Sequence, residues 1–158
     1  MFKRKTNHEV TKAVESQTVY VSAMISLSNT DIADILKNCR TIAVVGLSPK
    51  TARPSNEVAG YMLESGYAII PVNPGQTEIL GQKCYPNLIS IPDHVDVVNI
   101  FRRPEDVMPI VDDAIRIKAS VVWMQSGIVN EEAAARARSA GLTVIMDRCI
   151  MVDHENLL

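Results

Sequence analysis

Aromatic residues are scarce, with one Trp, two Phe and four Tyr among 158 residues. So few flat rings leave little for the bases of a single-stranded nucleic acid to stack on. A basic field to hold a phosphate backbone is missing too, because 16 Lys and Arg face 18 Asp and Glu. Nucleic acid is thus not an expected partner. No run of ~18 apolar residues exists to cross a bilayer, so a membrane partner is not expected either. With 47% hydrophobic and 22% charged residues, the composition is that of an ordinary water-soluble domain. Cysteine is sparse: Cys39, Cys84 and Cys149 are odd in number and widely spaced. That fits neither a disulfide scaffold nor a C-x-x-C metal site, and it points to a reducing, cytoplasmic compartment.

Lys3, Arg4 and Lys5 precede an apolar-leaning stretch, VYVSAMISL, at residues 19–27. Export is disfavoured: Glu9 and Glu15 interrupt the approach, the stretch is short and holds serines, and no small-residue cleavage site follows. Residues 1–29 are expected to form a loosely ordered extension, with Met24 a second candidate start. Regular patterning begins at Thr30.

From there, strand-like and helix-like segments alternate. TDIADILKN, capped by Thr30, puts Ile32, Ile35 and Leu36 on one helical face. TIAVVG (41–46) is a continuous β-branched run of the kind buried on both faces of a sheet. Pro54 and Ser55 suit the first positions of a helix that carries Val58, Ala59, Met62 and Leu63 inward and stops at Gly66. Strands are predicted over 67–74, 95–101, 119–124 and 142–146, and irregular structure with at most a turn of helix over 76–92. Pro104 opens a helix with Val107, Ile110, Val111, Ala114 and Ile115 at helical spacing. Asn130 caps another that ends at Gly141. Five strands separated by helices imply a doubly wound α/β domain with a parallel sheet over residues 30–152, followed by a tail at 153–158.

In such sheets the ligand sits beyond the carboxyl ends of the strands, where the strand order reverses. Those ends carry Gly46-Leu47-Ser48, Asn73-Pro74, Phe101-Arg102-Arg103 and Gln125-Ser126-Gly127. The first loop lacks the second and third glycines of a G-x-G-x-x-G dinucleotide fingerprint, and it is longer than an ordinary strand-to-helix connection of ~2–6 residues. Gly46 is expected to let a ligand approach the backbone, and the helix start at Pro54 and Ser55 to offer amide N–H groups to a phosphate. Ser48, Arg53 and Ser55 add hydrogen bonds. Asn73 stands where a site for NAD usually places an acid for the ribose hydroxyls. Lys50, Arg53, Lys83, Arg102 and Arg103 favour a ligand richer in phosphate, and on charge alone both coenzyme A and NADP fit. No metal ligand set and no nucleophile–base pair is visible. Cys149 beside Arg148 is the best remaining candidate for chemistry, with a quiet packed thiol as the plainer alternative. His8, His94 and His154 read as surface residues. Asp147 has either Arg148 or a strand-end arginine as its partner.

The segments VVGLSPKTARPSNEVAGYM, IIPVNPGQTEILGQKCYPNL, VDVVNIFRRPEDV and VVWMQSGIVNEEAAARARSAGLTVIMDRC together resemble the small stand-alone CoA-binding protein family. That family is related to the CoA-binding domain of the succinyl-CoA synthetase alpha subunit. The resemblance covers residues 30–152. It implies a single Rossmann-like domain, a five-stranded sheet in three α/β/α layers, that binds coenzyme A or an acyl-CoA. On matching positions, Gly46, Leu47, Ser48, Arg53, Pro54 and Ser55 would hold the pyrophosphate region. Asn73 and Pro74 would line the nucleotide side, Phe101 and Arg102 the adenosine or phosphate side, and Gln125, Ser126 and Gly127 the remaining wall. A counterpart of the synthetase's phosphorylated-histidine domain is not expected in the residues after Asp147. Three functional readings stay open: a non-catalytic binder or sensor of CoA, a CoA-dependent transferase or thioester-processing enzyme, and an NAD(P)-binding regulatory domain. A homodimer formed through helix faces is compatible with any of them.

Overall fold

The computed structural model describes residues 27–158. The expectations for Met24 and for the extension before Leu27 lie outside the described residues. Five strands, β1 (Thr41–Val45), β2 (Ala68–Val72), β5 (Val97–Ile100), β6 (Val121–Met124) and β7 (Thr143–Ile145), form one sheet in the order β2-β1-β5-β6-β7. Every pairing in it is parallel. The chain leaves β1 toward β2 on one side and returns to β5 on the other, so the order reverses between β1 and β5. This is the doubly wound architecture, with its crevice placed where those two strands end.

Alternation along the strands explains why they read as unbroken apolar runs. Ala43, Val45, Val98, Ile100, Val122 and Met124 face helices α3 (Val107–Arg116) and α4 (Glu131–Ser139). Ile42, Val44, Val97, Val121 and Trp123 face α1 (Asn29–Asn38), α2 (Pro54–Glu64) and α5 (Ile150–Leu157). Two apolar clusters thus sandwich the sheet in three layers.

Four details depart from the sequence reading. Helix α1 is capped by Ser28, not Thr30: the Ser28 hydroxyl accepts from Asp31 N–H at 3.1 Å while the Asp31 carboxylate accepts from Ser28 N–H at 3.0 Å. This reciprocal pair is a capping box. Pro104 opens a 3-10 turn (Pro104–Asp106), and the α-helix proper starts at Val107. The expected loop over 76–92 contains an antiparallel hairpin, β3 (Glu78–Ile79) with β4 (Gln82–Lys83). Its turn residues Leu80 and Gly81 both have positive φ, 54° and 71°, as a primed two-residue turn requires. Residues 153–157 are helical in α5, not a tail, and His154 there packs edge-on against the rings of both Tyr61 and Tyr67. Its Nδ1 lies 2.8 Å from the Tyr61 hydroxyl, which fastens the C-terminus to α2.

Candidate functional site

At the switch point the end of β5 passes hard against the end of β1. Gly46 has φ +87°, and a Cβ there would sit 2.3 Å from the Phe101 carbonyl oxygen and 3.2 Å from Arg102 Nε. The glycine is therefore needed for the two strand ends to meet, a reason different from the ligand approach expected of it. The Arg102 side chain lies across that junction.

The loop from Gly46 to α2 is pinned from within. Ser48 N–H donates to Ser55 Oγ at 3.0 Å, the Ser48 carbonyl accepts from Asn56 Nδ2 at 2.9 Å, and Ser48 Oγ accepts from Lys50 N–H at 3.1 Å. Ser55 and Asn56 are buried, so the first turn of α2 acts as the loop's floor. Arg53 occupies the N-cap position without a side-chain cap, and Pro54 follows at N1. The N-cap side chain thus satisfies none of the amide groups at the start of α2, whose first turn carries Glu57.

Between this loop and the β5–α3 connection lies a groove of ≈ 660 Å³, within the ~300–1,000 Å³ usual for small-molecule sites. Of the expected residues, Gly46, Ser48, Arg53, Pro54, Ser55, Phe101, Arg102 and Arg103 line it. Lys50, Asp106 and Ile128 join them. Among the described ion pairs none uses Lys50, Arg53 or Arg102. Arg103 differs: its Nε lies 3.1 Å from Asp106 Oδ2 and 3.5 Å from Glu105 Oε1. The hydrogen bond to Asp106 is the main reason its pKa is raised above the ordinary value. Among the described residues the adjacent arginines therefore differ, Arg103 being paired with acids and Arg102 not.

The remaining expected residues do not line the groove. Leu47 is fully buried. Asn73 spends its side chain on the fold, donating from Nδ2 to the Leu47 carbonyl at 3.0 Å and accepting Gly75 N–H at 2.9 Å. Pro74 is exposed on the turn beyond it. Lys83 sits on the hairpin with its ammonium 5.2 Å from the Tyr85 ring centroid. Gln125 is 3% exposed and donates to Asn99 Oδ1 at 2.6 Å. Ser126 and Gly127 are exposed on the following turn, where Gly127 N–H donates to Asp147 Oδ1 at 2.7 Å. Arg148 is bound to Asp153 through Nη2 at 2.7 Å and Nε at 2.8 Å. Its charge is thus committed beside Cys149, which lies outside the groove lining.

A family model described as a CoA binding domain matches residues 40–155. The chain belongs to the CoA binding domain family. YneT of Bacillus subtilis strain 168, itself described as uncharacterized, is 44% identical over 127 residues, 80% of this chain and 94% of YneT. A solved protein of Pyrococcus horikoshii OT3 superposes with TM-score 0.82 at 45% identity, covering 84% of this chain and 93% of that one. An ADP-forming acetate–CoA ligase, form II, of Archaeoglobus fulgidus is 35% identical over 72 residues, 44% of this chain and 10% of the ligase. The CoA binding domain thus occurs both as a small protein and as a minor part of a long enzyme.

Within this CoA binding domain, sequence reasoning missed two groove residues and left a third outside the expected site. Asp106 carried a readable signal, the i, i+3 spacing from Arg103 at a helix start. Lys50 reads from sequence only as general positive charge. Ile128 had no signal, since an isolated apolar residue in a loop is ordinary.

Proposed function

We propose that the groove binds coenzyme A or an acyl-CoA by its phosphates, and that the chain is a binding module without a reaction of its own. The observation that carries this reading is Arg102: a guanidinium with no acidic partner among the described residues lies over Gly46 at the switch point, in the same groove as the start of α2. Charge-assisted hydrogen bonds from such a group to phosphate are among the stronger ones available to a protein. Lys50 and Arg53 add cationic charge suited to a pyrophosphate and a 3′-phosphate. Asn73 argues against NAD, because it stands where an acid usually accepts the ribose hydroxyls and both ends of its amide are engaged. The absence of catalysis is supported by the lining itself. Among its residues Asp106 is the one carboxylate, held by Arg103, and the Ser48 and Ser55 hydroxyls are used within the loop. The three free thiols support a reducing, cytoplasmic setting.

Thermal unfolding with added ligand tests the reading, because a ligand that binds the native state stabilises it by RT ln(1 + [L]/Kd). CoA is expected to raise the melting temperature more than NADP, NAD or ADP at equal concentration. A shift with NADP alone would overturn the assignment.

A further inference from the structure

Three described non-glycine residues have φ well above zero: Leu80 at 54°, Lys118 at 58° and Asp147 at 57°. Chain reversal accounts for two of them. Leu80 is the first residue of a two-residue hairpin turn, and Lys118 follows the C-terminus of α3, where a left-handed residue commonly ends a helix. Asp147 lies at neither kind of place, and follows β7 at the carboxyl edge of the sheet. What the conformation achieves is its contact: the carboxylate reaches across to the Gly127 N–H at 2.7 Å. Gly127, at φ +81°, sits in a turn closed by Ile128 N–H donating to the Gln125 carbonyl at 2.9 Å. The same turn is held beneath by Gln125 on Asn99. Beyond it, Asn130 Nδ2 donates to the Pro104 carbonyl at 2.9 Å. Ile128, between these ties, lines the groove.

We infer that Asp147 is a positioning residue for the ligand: by holding Gly127 in place, its carboxylate fixes the Gln125–Ile128 turn as one wall of the groove. The inference rests on the CoA reading above. A left-handed conformation, uncommon outside glycine though open to Asp and Asn, kept beside the groove is the pattern expected when local backbone geometry serves a site. It also makes stability and binding separable. Gly tolerates the left-handed conformation without an acceptor, Asn tolerates it and keeps one, and Ala has neither advantage. Calorimetric titration of the full chain with CoA, paired with the melting temperature of the ligand-free protein, distinguishes these roles. Asp147→Gly is expected to melt within a few degrees of the parent yet bind CoA about fivefold or more weakly, as loss of a hydrogen bond to a charged group allows. Asp147→Asn is expected to restore most of the affinity, and Asp147→Ala to lose both stability and affinity. Unchanged affinity in Asp147→Gly, or no rescue by Asn, overturns the role of Asp147 alone. No CoA binding by the parent protein overturns this role together with the ligand assignment.

Discussion

At the residue scale, the two consecutive arginines after β5 show what a sequence motif leaves out. Arg102 and Arg103 are equivalent on paper, each able to reach a phosphate. In the fold, Arg103 meets Asp106 and Glu105, while Arg102 lies across Gly46 and forms no ion pair among the described residues. Arg102→Ala is therefore expected to weaken CoA binding by roughly tenfold or more, the worth of a hydrogen bond to a charged group at ~1.5–3 kcal/mol. Arg103→Ala should cost much less, because its guanidinium must first leave Asp106. Calorimetry on the two variants checks the difference; equal losses would show that the Arg103 pairing does not persist when ligand arrives. Gly46 carries the parallel lesson. Its importance was legible, but its reason was not, since contact with the Phe101 carbonyl depends on how closely two strands distant in sequence converge.

At the element scale, the regular secondary structure was largely legible because apolar periodicity and punctuation agreed. Two-sided burial of β1, β5 and β6 follows from their β-branched runs, and the Asn130 cap and Gly66 stop were read from residue type alone. What escaped were features made by pairs of residues. The Ser28–Asp31 box displaced Thr30, and the Leu80-Gly81 turn was obscured by neighbouring Gly and Pro. Helix α5 was hidden by its short length and mixed faces.

The α1–β1 corner yields a pH prediction at the same scale. Cys39 is pushed up to about 11, first by burial and then by the Asp96 carboxylate. Asp96 itself accepts the Arg40 and Thr41 N–H groups at 2.8 and 3.0 Å and so anchors the start of β1. A folded-state pKa above the ordinary 9.0 of a thiol means that the neutral form is favoured by folding. The corresponding stability is complete below about pH 9 and falls as pH rises through about 11. Tyr67, raised to about 12 chiefly by burial, adds a loss of the same sign at higher pH. Urea unfolding at pH 8 and at pH 10.5 should thus show a larger fall in stability for the parent than for Cys39→Ala. Identical slopes would mean that the thiol remains accessible to solvent.

At the scale of the whole molecule, the site depends on topology. Reversal of strand order between β1 and β5 brings the Gly46 loop with the α2 start that follows it and the Phe101–Asp106 segment to one rim, although Gly46 and Phe101 are 55 positions apart in sequence. The site was half legible for that reason: strand ends are readable, but which of them converge is set by strand order. The ends of β1 and β5 do line the groove. Asn73 and Gln125, at the ends of β2 and β6, were drawn into holding loops and strands together, and Lys83 lies on a hairpin away from the groove. The CoA binding domain family model spans residues 40–155 and so includes both loops and the α2 start.

The most direct test is an amide-resolved NMR titration of the whole chain with CoA. Saturable shifts should concentrate at Gly46, Ser48, Ser55, Arg102 and Ile128, with the β3–β4 hairpin and α1 unmoved. Shifts centred on the hairpin or α1, or no saturable change at millimolar CoA, would contradict the account.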